Sequence, residues 1–301
     1  MRMLITGANG QLGRELVRQS QAHNIELQAF IRQELDITQP NQINKIVAKA
    51  SPFLVVNAAA YTNVDKAETE ADLAFEVNKI GPGYLARCCA DRNIALIHIS
   101  SDYVFDGTKG EPYHEIDPIA PLGIYGQSKA QGEVVIRSVL KNHIILRTSW
   151  LYSVYRHNFV KTMLDLGTEK KVIPVVADQF GSPTSAADLA EAVLNVAAKI
   201  GDAADLEWGT YHYCGNGITS WHGLAKEVLQ LASPYVHLQT KRVEAIPTAE
   251  YPTPAKRPPY SALDCSRIKK YFGIDPKPWQ QSLKHTIDRI FSEDYRILQI
   301  D

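Results

Sequence analysis

Three polar residues in the first half of the chain have the types and spacing of an acid-base catalyst. Tyr125 and Lys129 are four residues apart, so on a helix both side chains lie on one face. A phenol has an ordinary pKa of about 10 and donates protons poorly near neutral pH, unless a cation such as Lys129 stabilises its phenolate. Ser101 follows an apolar run and could hold a substrate carbonyl while Tyr125 protonates it. Because such pairs also occur by chance on helices, their surroundings must support the prediction.

A glycine-rich segment near the start of the chain could bind the phosphates of a dinucleotide. It lies between an apolar run at residues 3–6 and an amphipathic stretch at residues 11–21. Its glycines permit a tight turn, a close approach of backbone to pyrophosphate, and close packing of the following helix, whose N–H groups would face the phosphates. The predicted cofactor-binding residues of this segment are Gly7, Asn9, Gly10, Gln11, Leu12 and Gly13.

The second predicted strand ends without a carboxylate and is followed by Arg32. NAD enzymes usually place an acidic residue there to bind the adenosine ribose, whereas an arginine can meet a 2′-phosphate. We therefore predict NADPH as the cofactor, with NADH as the alternative if Arg32 is only a solvated loop charge. The remaining predicted cofactor contacts follow the second and third strands and are Asp36, Ile37, Ala58, Ala59 and Ala60.

The elements that must position these residues alternate in the order of a parallel α/β sheet. Apolar runs predict strands at residues 3–6, 26–31, 53–57, 95–100 and 143–148, and amphipathic stretches predict helices at 11–21, 71–92 and 124–140. This order predicts an α/β fold with a doubly wound parallel (Rossmann) sheet, which binds ligands at the carboxyl ends of its strands.

The second half of the chain has a looser pattern and predicts a smaller lobe. Helices are expected at residues 158–166, 185–198, 219–231 and 280–291, and strands at 172–176 and 210–213, the latter in the main sheet. Prolines between residues 247 and 259 predict a loop that packs over a cleft. We predict a dinucleotide-binding domain of residues 1–150 with about 184–215, and a C-terminal α+β substrate lobe of residues 151–183 and 216–301.

Composition and charge indicate which classes of binding partner are not expected. Lys and Arg number 32 and Asp and Glu 33, so a formal charge of −1 provides no field for nucleic acid or an anionic membrane. No apolar run approaches the roughly 20 residues of a membrane span, and the apolar start is too short for a signal peptide, so a cytoplasmic location is expected. The four cysteines and nine histidines lack ligand spacing; we expect buried thiols and no metal site.

Several motifs together resemble the extended short-chain dehydrogenase family. In chain order they are TGANGQLG, NAAAYTNVDKAE, SSDYVFDG, YGQSK and RTSWLY. The later segments DQFGSPT and YPTPAKRP are also similar, so the resemblance covers nearly the whole chain. Within the family, the motifs are most similar to the enzymes that reduce dTDP-linked 4-keto sugars.

This resemblance implies a role for each member of the catalytic group. Tyr125 is implied to be the proton donor, while Lys129 lowers its pKa and binds the nicotinamide ribose. Ser101 is implied to assist, although the family often carries threonine at this position, which also provides a hydroxyl. NADPH or NADH would deliver hydride to C4 of the keto sugar while Tyr125 protonates the oxygen.

The resemblance also implies contacts to a nucleotide-sugar substrate. Asp102 and Tyr103 would support the sugar site beside Ser101. Trp150 resembles a tryptophan that contacts the sugar, or it is a core aromatic residue. Arg257, or its neighbour Lys256, could bind the substrate diphosphate, or both could be solubilising loop charges.

Three other functions are weighed against reduction. A related dehydratase would carry Asp-Glu after the strand-end hydroxyl residue, but this chain has Asp102 and Tyr103 there, which disfavours elimination. An epimerase shares the Tyr-Lys pair and is not excluded. A non-catalytic dinucleotide-binding subunit, resembling the regulatory β subunit of methionine adenosyltransferase, also stays open, as does assembly into a homodimer.

Overall fold

The computed structural model describes residues 2–23, 25–202 and 206–292. Its strands are β1 (Arg2–Thr6), β2 (Glu26–Phe30), β3 (Leu54–Asn57), β4 (Ala95–Ser101), β5 (His143–Thr148), β6 (Leu151–Tyr152), β7 (Val172–Val176), β8 (Phe180–Gly181), β9 (Thr184–Ser185), β10 (Gly209–His212), β11 (Thr219–Ser220) and β12 (Arg242–Ile246). Its α-helices are α1 (Gln11–Ser20), α2 (Pro40–Ala50), α3 (Val64–Ala67), α4 (Ala71–Phe75), α5 (Gly81–Ala90), α6 (Ile124–Val139), α7 (Phe159–Glu169), α8 (Ala186–Asp202), α9 (Trp221–Ala232), α10 (Ser266–Phe272) and α11 (Trp279–Phe291). Short 3-10 helices span Gln21–His23, Asp102–Val104 and Thr248–Glu250. Within these described ranges, no helix is both long and apolar enough to cross a membrane.

The central sheet contains six strands in the order β10-β5-β4-β3-β1-β2, and every neighbouring pair is parallel. Strand β2 lies on one side of β1 and β3 lies on the other. The direction of winding therefore reverses between β1 and β3, which is the switch point where open α/β sheets bind ligands. The predicted doubly wound fold is confirmed.

Both faces of the sheet are covered by helices because successive strand residues point to opposite sides. Met3 and Ile5 pack with α1 and α8 in one core layer, while Leu4 packs with α2 and α5 in the other. The cysteines are free: Cys88, Cys89 and Cys214 are buried, as predicted, and Cys265 is partly exposed.

A second core lies in the C-terminal lobe, where α7, α9 and α11 pack against a two-stranded parallel sheet of β7 and β12. The sequence does not predict β12, and it also does not predict α2 or α10. The predicted proline-rich loop is found after β12, interrupted by the short 3-10 helix at Thr248–Glu250.

The helix predicted at residues 71–92 is not one regular α-helix. A π-helical turn, Glu76–Ile80, separates α4 from α5. Pro82 lacks the N–H that would bond to the carbonyl of Asn78, so the regular hydrogen-bond ladder cannot continue through this point. The wider turn leaves the Asn78 carbonyl against Gly132 of α6, where a Cβ would come within 2.1 Å of it.

The chain returns to the central sheet after it enters the lobe. Helix α8 packs against α1, and β10 pairs in parallel with β5. The segments that come before and after residues 151–183 in the chain therefore form one sheet together with the helices that cover it.

Candidate active site

One cleft of about 1510 Å³ runs along the carboxyl ends of β1, β3 and β4 and beneath the lobe. It brings together nearly every site residue predicted from the sequence. Those that line it are Gly7, Asn9, Gly10, Gln11, Leu12, Arg32, Asp36, Ile37, Ala58, Ala59, Ala60, Ser101, Asp102, Tyr103, Tyr125, Lys129, Trp150 and Arg257.

The glycine turn after β1 has the shape of a phosphate cradle. Gly7 has a φ of 72°, and a Cβ there would lie 2.7 Å from the backbone N of Ala59. The Gly10 N–H donates to the Gly7 carbonyl at 3.0 Å, and Gly10 caps α1 without any side-chain hydrogen bond. The first N–H groups of α1 therefore stay available to an anion, and the turn fits a dinucleotide diphosphate.

Gly13 differs from the other predicted loop residues because it does not line the cleft. A Cβ at Gly13 would lie 2.3 Å from the Gly7 carbonyl oxygen and 2.7 Å from Cα of Ala8. Gly13 therefore lets α1 pack directly on the glycine turn, which is the packing role expected from the sequence, and its direct contact with a cofactor stays a prediction.

The far end of the cleft is formed by the residues after β2. Arg32 is about two-thirds exposed, and its Nε lies 3.2 Å from Oδ2 of Asp36. Although burial opposes it, hydrogen bonds from Thr38 and Arg32 hold the pKa of Asp36 below its usual range. Arg32 is thus an accessible cation held by an ion pair, a position from which it can reach a ligand phosphate.

Lys129 lies one turn after Tyr125 on α6, and its side chain is almost completely buried. Its Nζ donates to the backbone carbonyl of Ile99 on β4 at 2.7 Å. Burial lowers the pKa of Lys129 to about 8, and the nearby Glu133 carboxylate opposes this shift.

The pKa of Tyr125 does not show the lowering expected from Lys129. Burial raises it to about 12, the Asp102 charge adds to this, and a hydrogen bond with Ser101 opposes it. The expectation was wrong because it omitted the cost of burying a phenolate.

Ser101 ends β4 and is hydrogen-bonded on both sides. Its Oγ donates to Oδ1 of Asp102 at 3.0 Å and accepts from the backbone N–H of Tyr103 at 3.1 Å. Burial raises the pKa of Asp102 to about 6, while hydrogen bonds from Ser261 and Ser101 oppose the shift. The second lone pair of the Ser101 hydroxyl is then the one that can accept from the Tyr125 phenol, which is the hydrogen bond that opposes the rise in the pKa of Tyr125.

Trp150 stands at the entrance to the lobe in a strained backbone conformation, with a φ of 46°. Its indole stacks on that of Trp221, with ring centroids 3.5 Å apart and planes within 4° of parallel. Gly181 makes room for the indole, because a Cβ there would lie 2.6 Å from it. Trp150 therefore both packs in the lobe and lines the cleft.

Arg257 reaches the cleft from the proline-rich loop. Its Nη2 donates to Oδ2 of Asp65 at 2.8 Å, and Oδ1 of the same carboxylate accepts the N–H of Ala255 at 3.2 Å. The neighbouring Lys256 is exposed. Of the two predicted diphosphate-binding residues, Arg257 lines the cleft.

Other residues that were not predicted as site residues also line the cleft, although Tyr61, Asp65, Gln179 and Tyr251 lie within the motifs quoted above. They include Gln33, Tyr61, Asp65, Arg156, Asn158, Gln179, Trp221 and Tyr251. Asn158 is the N-cap residue of α7, and its Nδ2 donates to Oε1 of Gln11, the first residue of α1, at 3.1 Å. The amphipathic pattern predicts the start of α7 near Asn158, but nothing local predicts a contact with Gln11.

A glycine turn at the switch point of a parallel sheet, facing a Tyr-Lys pair one helical turn apart, defines an oxidoreductase of the short-chain dehydrogenase class. The family model described as RmlD substrate binding domain matches residues 1–292. The chain belongs to this family, which confirms the resemblance found in its sequence.

Curated relatives and solved structures agree with this membership. The dTDP-4-dehydrorhamnose reductase of Aggregatibacter actinomycetemcomitans is 44% identical, over 94% of this chain and 97% of that protein. The crystal structure of a dTDP-4-dehydrorhamnose reductase from Clostridium acetobutylicum has a TM-score of 0.89 and 41% identity, covering 96% of this chain and 99% of the other. A Bacillus anthracis dTDP-4-dehydrorhamnose reductase in complex with NADP has a TM-score of 0.87 and 37% identity, covering 95% and 98%.

Proposed function

We propose that this chain reduces the C4 keto group of dTDP-4-dehydro-L-rhamnose to form dTDP-L-rhamnose, with NADPH or NADH as reductant. One observation carries the proposal: Ser101, Tyr125 and Lys129 line the same cleft as the glycine turn. The names of the relatives supply the sugar, and the NADP bound to the Bacillus anthracis relative supports the cofactor.

NADPH, when bound, would supply the hydride for C4, and residues of this chain provide the proton. Because its pKa is raised to about 12, Tyr125 keeps its proton near neutral pH and can donate it to the oxygen that becomes negative. The Lys129 ammonium then stabilises the phenolate that remains. Hydride on C4 and a proton on the oxygen together complete the alcohol.

The substrate is proposed to lie between the sheet and the lobe. Its sugar would contact Ser101, Tyr103 and Trp150. Its diphosphate would bind Arg257, for which it would compete with the Asp65 carboxylate. On this view, residues 1–150 with about 184–215 hold the cofactor, and residues 151–183 with 216–301 hold the substrate.

The test is a cofactor-oxidation assay with purified chain, dTDP-4-dehydro-L-rhamnose and NADPH. We expect one NADPH to be consumed for each sugar reduced, and Tyr125→Phe to lower kcat by about 10²- to 10⁴-fold. Tyr271→Phe, an exposed position on α10, is the matched control. NADPH binding without turnover would favour the non-catalytic subunit, and sugar conversion without consumption would favour an epimerase.

Assembly into a homodimer and a cytoplasmic location stay predictions from the sequence. The homodimer is tested by the sedimentation mass of the purified chain, which should be twice the mass of one chain. A chain that sediments as a monomer at assay concentration would contradict it.

A further inference from the structure

A chain of buried polar side chains runs behind the active site from β1 to Lys129. Asn57 on β3 and His98 on β4 are both fully buried. The Asn57 Nδ2 lies 3.0 Å from Nδ1 of His98, and Nε2 of the same imidazole lies 3.4 Å from Nζ of Lys129. The catalytic scheme above does not use His98, although its ring touches the catalytic lysine.

The hydrogen bonds around Asn57 determine which nitrogen of His98 carries hydrogen. The Asn57 Oδ1 accepts from the backbone N–H of Ala59 at 3.2 Å and from the Thr6 hydroxyl at 2.7 Å. Because the Ala59 N–H can only donate, the amide oxygen must face it and the NH₂ group must face His98. Nδ1 therefore accepts, and the neutral ring carries its hydrogen on Nε2. Burial and the Lys129 charge hold the pKa of His98 well below its usual range, so the ring is neutral.

The Nε2–H of His98 consequently points at an ammonium group that has no lone pair. Lys129 cannot donate a hydrogen bond toward a nitrogen that already carries hydrogen. One of its three donors is used by the Ile99 carbonyl. We propose that His98 is a positioning residue for Lys129. Because its Nε2–H prevents the Lys129 ammonium from donating a hydrogen bond toward the imidazole, the remaining N–H donors of the ammonium point into the cleft.

The same arrangement affects the protonation of Lys129. The neutral amine can accept the His98 Nε2–H, whereas the ammonium form is repelled by it, so His98 favours release of the proton. Glu133 on α6 acts in the opposite direction, but its charge is shared with Arg137 and with Arg147 on β5. The other titratable group beside Lys129 in this part of the described site is Tyr125, which also lies on α6.

The tautomer can be measured without any enzymatic activity. Protein labelled with ¹⁵N-histidine should show one imidazole with hydrogen on Nε2 and bare Nδ1, unchanged from neutral to mildly acidic pH, and this signal should disappear in His98→Gln. A His98 ring with hydrogen on Nδ1, or one protonated at neutral pH, would overturn the proposal. Because this readout needs no turnover, it stands apart from a failure of the proposed reductase activity.

The catalytic part of the inference rests on the proposed function and is tested by the pH dependence of kcat/KM. The Lys129 ammonium is required, so activity should fall as pH rises through its pKa. His98→Met removes the N–H, and we expect it to move this alkaline limb upward by about one pH unit. His98→Gln can accept from Asn57 and present an N–H to Lys129, so its limb should stay at the wild-type position.

His143→Gln is the control for the loss of a buried imidazole. His143 is also buried, but it lies on β5 and its ring bonds to the Leu140 carbonyl and not to Lys129. Its alkaline limb should match that of the wild type. An unmoved limb in His98→Met, or equal movement in the Met and Gln variants, would overturn the proposal. If His98→Met does not fold, the ¹⁵N measurement decides.

Discussion

The buried ion pair between Glu133 and Arg147 provides a strong test of how the site is held. Glu133 is fully buried on α6 and accepts from Ser100 Oγ at 2.6 Å, from Arg147 Nε at 2.9 Å and from Arg147 Nη2 at 2.7 Å. Burial alone would raise the pKa of Glu133, but the bonds from Arg147 and Ser100 hold it below the usual range. The carboxylate is therefore ionised near neutral pH, and Glu133→Gln would leave the buried Arg147 charge without a counter-charge.

Breaking a buried pair by removing one partner costs about 3–5 kcal/mol, because the other charge stays buried. We expect Glu133→Gln to lower the free energy of unfolding by about this amount. With an unfolding entropy of about 2.1 cal/mol/K per residue, Tm should fall by roughly 5–8 °C. The measurement is urea denaturation combined with a thermal scan. Replacing both partners, Glu133→Leu with Arg147→Met, should recover at least half of the loss, since no buried charge remains.

The matched control uses the second ion pair of Glu133, which is partly exposed. Arg137 lies 3.0 Å from Glu133 with a side chain that is 35% exposed, so Arg137→Ala should cost no more than about 1 kcal/mol. The reasoning is refuted if Glu133→Gln stays within about 1 kcal/mol of the wild type, or if the double variant is no more stable than the single one.

Three further outcomes are expected. Gly13→Ala should cost at least about 2 kcal/mol and raise the KM for NADPH, because its Cβ would meet backbone of the glycine turn; denaturation and kinetics measure both. The pKa of Asp102 is raised from 3.8 to about 6, so its contribution to stability is present at lower pH and lost as pH rises across this window; Asp102→Asn should remove that pH dependence from unfolding curves. Arg156, an exposed cation in the cleft with a φ of 59°, should bind a ligand phosphate, so Arg156→Gln should raise the KM for NADPH or for the nucleotide sugar by about tenfold. If the KM values for both NADPH and the sugar are unchanged, Arg156 does not belong to the site.

The glycine turn and the Tyr-Lys pair could be predicted because their signals are local. Strand, turn and helix follow one another at residues 2–20, and four residues separate Tyr125 from Lys129. The parallel sheet was predictable for the same reason, since its strands are short apolar runs between helices. Their arrangement at one edge then follows from the rules of parallel sheets.

The missing parts of the site depend on contacts between distant segments. The ion pair of Asp65 and Arg257 joins residues 192 positions apart, and the bond of Asn158 to Gln11 joins residues 147 apart. Among the missed elements, β12 has the mixed sequence RVEAI and partly exposed side chains, so its strand pattern is weak. The pKa of Tyr125 was mispredicted because helical spacing says nothing about burial.

The return of the chain to the central sheet has a consequence for how the protein unfolds. A fragment of residues 1–150 would lack β10 and α8, leaving β5 as an unpaired edge and the core beneath α8 open to water. We expect such a fragment to aggregate when expressed alone. In the intact chain, the central sheet should melt in one calorimetric step together with β10 and α8, because the core between α1 and α8 is closed only when both parts of the chain are folded.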